Sequence, residues 1–135
     1  SRLDTLHAAV LNIKLKKYNE VVKKRNKLAK LYIKNLQECK DVIKIKINKN
    51  FTYAFHQFVI RANKRDSLIK YLKKSGIDTM IHYPYMLNEL NFFPKGNNLI
   101  NSKNLGKKIL SLPISEEHTE NEINYVSKKI IQFYN

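Results

Sequence analysis

Apolar positions along this chain follow two periods, and the switches between them mark out its elements. From Leu3 to about Glu38 the apolar residues recur every three or four positions: Leu6, Val10, Ile13, then Val21, Leu28, Leu31 and Tyr32. This predicts a long helix, or two helices sharing an axis, with Asp4 or Thr5 as the cap. Asp41 to Ile47 changes to a period of two, Val42-Lys44-Lys46 against Ile43-Ile45-Ile47. That is the pattern of a strand exposed on one side, with lysines protecting its outer face. After the turn residues Asn48-Lys49-Asn50, Phe55 to Arg61 reads as a second strand, paired with the first and apolar on both faces. His56 falls mid-strand there and is expected to be buried with its hydrogen bond satisfied.

The helical period returns after this strand. Asn63 or Asp66 can cap a helix that buries Leu68, Ile69 and Leu72 and stops at Ser75-Gly76. Ile77 to Tyr83 reads as a third strand ending at Pro84, which makes a strand-helix-strand unit of about thirty residues. Met86 to Phe93 is a short apolar turn or helix, closed by the turn chemistry of Pro94 to Asn98. Ser102 to Leu110 reads as a helix, and Ser111 to Ile114 as an extended link. Thr119 and Glu122 have the spacing of a capping box, opening a last helix that buries Ile123, Val126, Ile130 and Phe133. The order α-β-β-α-β-α-α predicts an α+β fold. Helices pack on a small, mostly antiparallel three-stranded sheet, and a long N-terminal helix precedes it.

Composition narrows the function classes. At 135 residues and 43% hydrophobic the chain is expected to be one domain, residues 1–135, with a real core. No apolar run reaches the roughly 20 residues of a membrane span, so no membrane is expected among its partners. The one cysteine, Cys39, excludes an internal disulfide, is too few for a cysteine-based zinc site, and fits a cytoplasmic protein. The net charge of +15 raises nucleic acid as a partner. The lysines are spread over every predicted helix, however, and no recognition motif accompanies them. A basic α+β module binding nucleic acid or another acidic partner is the alternative reading, with a solvated lysine surface the simpler account.

Residue chemistry alone points to no catalytic centre. There is no glycine-rich phosphate loop, no Ser-His-Asp order and no metal-ligand spacing among His7, His56, His82 and His118. His7 reads as a packing residue on the long helix and His118 as exposed. His82 and Tyr83 are the best ligand-facing candidates. They sit at a predicted strand end, where sheets crossed by helices often meet ligands. Arg2 could bind a carboxylate or phosphate through both arms of its guanidinium, although a terminal arginine is ordinarily just exposed.

Three stretches taken together carry a resemblance. Ser1-Arg2-Leu3-Asp4-Thr5-Leu6-His7-Ala8-Ala9, His56-Gln57-Phe58-Val59-Ile60-Arg61, and Ile81-His82-Tyr83-Pro84 with Leu110-Ser111-Leu112-Pro113-Ile114 follow one another in the order and spacing of the DegT/DnrJ/EryC1/StrS sugar aminotransferases. The chain resembles the C-terminal small domain of that fold-type-I family. The resemblance implies a pyridoxal 5′-phosphate-dependent enzyme of amino-sugar biosynthesis, homodimeric, moving an amino group from glutamate to a nucleotide-linked keto-sugar. It also implies that the Schiff-base lysine lies in a missing N-terminal large domain, so the chain alone is expected to be inactive and to carry no catalytic residue. Residues 1–38 would pack on that large domain. Arg2 would reach the cofactor across the dimer interface. His82, Tyr83 and Asn88 would contact substrate, Asn88 standing where the family commonly has histidine. With a helix under way at its first residues, the chain reads as part of a longer polypeptide.

Overall fold

The computed structural model describes residues 2–44, 46–48, 50–91 and 99–135. The predicted loop over 94–98 lies outside the described residues. The N-terminal helical stretch divides at Lys16–Lys17 into α1 (Thr5–Leu15) and α2 (Tyr18–Asn35). Asp4 caps α1, its carboxylate accepting from the Leu6 N–H at 2.7 Å. Leu28, Ala29 and Tyr32 make the buried stripe of α2, whereas α1 buries nothing. Leu6, Val10 and Ile13, the apolar stripe of its helical period, are 76%, 48% and 68% exposed.

Strands β1 (Val42–Ile43) and β2 (Phe58–Ala62) pair antiparallel, with Val42 opposite Ala62. The pairing is as predicted, but the phase of β1 is the reverse. Val42 is buried and Ile43 half exposed, because Lys44 does not line an outer face. Its ammonium turns back and donates to the Leu36 carbonyl at 2.7 Å, satisfying an end of α2.

The third strand is not where the pattern put it. Of Ile77 to Tyr83 only Met80 bridges to the sheet, and β3 (Ile109–Leu112) lies between that bridge and β2, antiparallel to both. The preceding helix, α4 (Ile100–Gly106), ends before Leu110 reaches it. Pro113, with no N–H to give, closes β3. The sheet order is β1-β2-β3.

Helix α3 (Arg65–Lys74) starts after Lys64, which adopts a left-handed φ of 49°. Neither predicted cap residue caps it. Asn63 donates to Asp41 at 2.9 Å, and Asp66 pairs with Arg65. Its end is as predicted. Gly76 takes φ 74°, and the N–H groups of Gly76 and Ile77 reach the Lys73 and Leu72 carbonyls at 3.1 and 2.9 Å. The capping box of α5 (Glu120–Tyr134) also forms, with Thr119 N–H donating to Glu122 at 2.7 Å and Glu122 N–H to the Thr119 hydroxyl at 3.3 Å.

Helices α2, α3 and α5 pack together. The core joins Phe58, Ile60 and Ala62 of β2 and Leu110 and Leu112 of β3 to Tyr32, Leu68, Leu72, Ile123 and Ile130 of those helices. Tyr32 stacks on Phe58 with ring centroids 4.8 Å apart, and its hydroxyl donates to the Pro113 carbonyl at 2.9 Å.

Candidate functional site

Alternation along β3 sends Leu110 and Leu112 into the core and Ser111 to the opposite face of the sheet. Two backbone bonds join Ser111 to Met80, Met80 N–H to the Ser111 carbonyl at 3.2 Å and Ser111 N–H to the Met80 carbonyl at 2.8 Å. Two residues beyond Met80 the half-buried His82 ring meets the Ser111 hydroxyl, Nδ1 to Oγ, at 2.9 Å. A cleft of about 340 Å³ opens here, lined by His82, Ser111, Thr79, Asp78, Gln57 and His56 together with apolar residues of β3 and the link beyond it. The Thr79 hydroxyl is buried in its wall and finds no partner among the described residues.

His56 is not the buried mid-strand residue the pattern predicted. It precedes β2 and is exposed. Phe55 before it adopts a left-handed φ of 45°, sinks its own ring into the core at 7% exposure, and turns the chain so that His56 faces outward. His56 thereby lines the cleft and also a second concavity of about 610 Å³, between α1, α2 and the loop before α5. Arg25 of α2 sits between these parts. It donates to Glu116 through Nε at 2.8 Å and Nη2 at 2.6 Å, and its Nη1 lies 3.4–3.5 Å from the carbonyls of His56 and Phe55. The Glu116 carboxyl is held below its usual range by its own backbone N–H and by the Arg25 guanidinium.

The other candidates fall into place unevenly. Tyr83 is 72% exposed, its ring edge-on to His82 at 5.7 Å. Asn88 belongs to a short 3₁₀ turn, Leu87–Glu89, and its side chain is outside the described part of the structure. Arg2 is exposed on the extended lead-in to α1 and does not line the cleft. His7 is exposed on α1. His118, expected at the surface, is half buried with Nδ1 2.7 Å from the Ser115 hydroxyl. Cys39 is partly buried, which pushes its thiol up, the direction of an unreactive cysteine. Among the described residues no cluster of ligating side chains could hold a metal, and no helix is long and apolar enough to cross a membrane.

Two site features escaped the sequence reading. Ser111 was hidden because its stretch was read as a link; read as a strand, a serine alternating with Leu110 and Leu112 marks itself as facing away from the core. The exposure of His56 depends on the backbone at Phe55, and no residue pattern signals a left-handed phenylalanine.

The DegT/DnrJ/EryC1/StrS aminotransferase family model matches residues 1–131. The chain belongs to that family. A "pleiotropic regulatory protein" of Geobacillus stearothermophilus is 36% identical over 140 residues, covering 99% of this chain and 38% of that protein. A dTDP-3-amino-3,4,6-trideoxy-alpha-D-glucose transaminase of Streptomyces venezuelae is 30% identical over 118 residues, 84% of this chain and 31% of the relative. Among solved structures, S. venezuelae DesV in complex with a ketimine intermediate superposes with a TM-score of 0.93 at 26% identity, over 99% of this chain and 37% of that one. The chain therefore spans about a third of the length of the relatives it matches.

The DegT/DnrJ/EryC1/StrS family depends on pyridoxal phosphate. Holding that cofactor takes an enclosed set of donors for its phosphate and a partner for its ring. The cleft of this family member carries no lysine or arginine in its wall and does carry Asp78, and Arg2 stands apart from it. That cleft does not by itself form a site that fits the cofactor.

Proposed function

We propose that this chain is the small domain of a pyridoxal phosphate-dependent aminotransferase acting on a nucleotide-linked keto-sugar, with glutamate as amino donor. In the whole protein an N-terminal large domain supplies the Schiff-base lysine and covers the apolar side of α1, and two subunits associate. His82 and Tyr83, with Asn88 on the following turn, line the substrate side of the active site. Arg2 offers a bidentate donor to an anion across the subunit interface.

The observation that supports this reading best is the cleft beside Ser111. It gathers two histidines, a serine and a glutamine around apolar walls, the mix that orients a small polar ligand. A cytoplasmic location fits soluble nucleotide sugars as substrates.

The test is to incubate the complete protein with glutamate and dTDP- or UDP-linked keto-sugars, and to follow 2-oxoglutarate and the amino-sugar product by mass spectrometry. Amino transfer is expected with the complete protein and none with the 135-residue chain alone. A complete protein that binds no pyridoxal phosphate and transfers no amino group, but binds unrelated DNA with a steep salt dependence, would overturn the assignment in favour of a basic binding module.

A further inference from the structure

The His82–Ser111 contact determines which nitrogen of the imidazole carries its proton. A serine hydroxyl can accept from Nδ1–H or donate to bare Nδ1. Ser111 is only 6% exposed, and among the described residues its hydroxyl meets His82 and no other acceptor. Were Nδ1 the donor, the serine proton would be buried without a partner, which is disfavoured. The hydroxyl therefore donates, Nδ1 accepts, and the neutral ring keeps its proton on Nε2. No partner meets Nε2 among the described residues, and His82 lines the cleft.

We infer that Ser111 is a positioning residue. It fixes His82 in the Nε2–H form and turns that N–H into the cleft as a donor to an acceptor oxygen of the substrate, a sugar carbonyl or hydroxyl, or a phosphate oxygen of the nucleotide. The Met80–Ser111 bridge holds the chain two residues before His82 against the residue it contacts. The inference rests on the substrate-binding reading above only for the identity of the acceptor; the protonation pattern follows from this chain alone.

Two readouts on the complete protein separate these parts. Long-range ¹⁵N–¹H correlation on histidine-labelled protein reports the tautomer without any activity. The unmodified protein should show His82 protonated at Nε2 and bare at Nδ1, and Ser111→Ala should lose that fixed pattern. In the aminotransferase assay Ser111→Ala should raise KM for the nucleotide sugar about three- to tenfold, the range of one neutral hydrogen bond, with a smaller effect on kcat. Ser111→Thr, which keeps the hydroxyl, should restore it. On a His82→Gln background, where an amide N–H replaces Nε2–H without the serine contact, Ser111→Ala should have no further effect on KM. If the serine merely packs, Ser111→Ala raises KM equally on both backgrounds.

A His82 protonated at Nδ1 in the unmodified protein, which needs no variant to fold, overturns the proposal. So does a Ser111→Ala protein with unchanged tautomer and KM. If no keto-sugar is aminated at all, the function proposed above falls; the tautomer and a titration of the same variants with UDP-glucose then decide this inference alone, a loss of binding in Ser111→Ala upholding it and equal binding sinking it.

Discussion

Two buried hydroxyls show how differently the same group can count. The Tyr32 hydroxyl is inside the core and bonded to the Pro113 carbonyl, and burial pushes its phenol well above the usual tyrosine range. Tyr32→Phe should lower stability by about 1 kcal/mol, read from urea denaturation, since the carbonyl loses its donor. The Thr79 hydroxyl has no partner among the described residues. Thr79→Val, of nearly the same shape, should leave stability unchanged or raise it by up to about 1 kcal/mol. Residue identities legible in the sequence were those whose role is local. Asp4 and Thr119 could be recognised as caps because a cap needs only its own next three residues. Asn63 could not be excluded as one, because its actual partner, Asp41, is brought to it by the pairing of two strands.

At the scale of elements, the helices with two-sided patterns and the pairing of the first two strands were readable, and the third strand was not. Helices α3 and α5 carry complete apolar stripes and their own stop and start signals. Strand β3 is four residues long, three of them apolar, and such a run does not distinguish the end of a helix from a buried strand. Only its place between β2 and the Met80 bridge decides the matter, and that is a tertiary fact. The end signals themselves are testable. Gly76→Ala puts a Cβ into open space, so its cost of about 1 kcal/mol is that of the left-handed backbone alone. The α5 cap predicts a pH response. Bonds from Thr119 hold the Glu122 carboxyl below its ordinary 4.5, as Arg25 helps to do for Glu116. With folded values depressed, this stabilisation is complete above the unfolded value and is lost as pH falls through the folded one. The urea midpoint should therefore hold from about pH 7 to 5 and decline below about 4.5. Glu122→Gln should make that decline shallower.

For the whole molecule the salient fact is a helix that gives nothing to the core. Helix α1 exposes Leu6, Val10, Leu11 and Ile13, and Leu3, Leu15 and Tyr18 extend the apolar surface. A stripe of that size normally has a counterpart. Leu6→Asp with Ile13→Asp should leave the thermal midpoint of the 135-residue chain unchanged within error, because neither side chain is buried. The same pair should convert any self-associated material to monomer, as sedimentation velocity would show. A large drop in the midpoint would mean that α1 packs on its own chain in solution. The helical period of α1 was visible in the sequence; that its apolar side lies uncovered here followed only from the family resemblance, since periodicity says that a face is to be buried and not by what.

Strand β3, like the central β2, has backbone partners on both edges, β2 on one and Met80 on the other. Amide deuterium uptake should consequently be slow along β2 and β3, Ser111 included, and the Met80 N–H should be protected far beyond its neighbours Thr79 and Ile81. The imidazole is thus moored to a rung held from both sides, so that whatever enters the cleft meets a donor whose aim is steadied by the sheet.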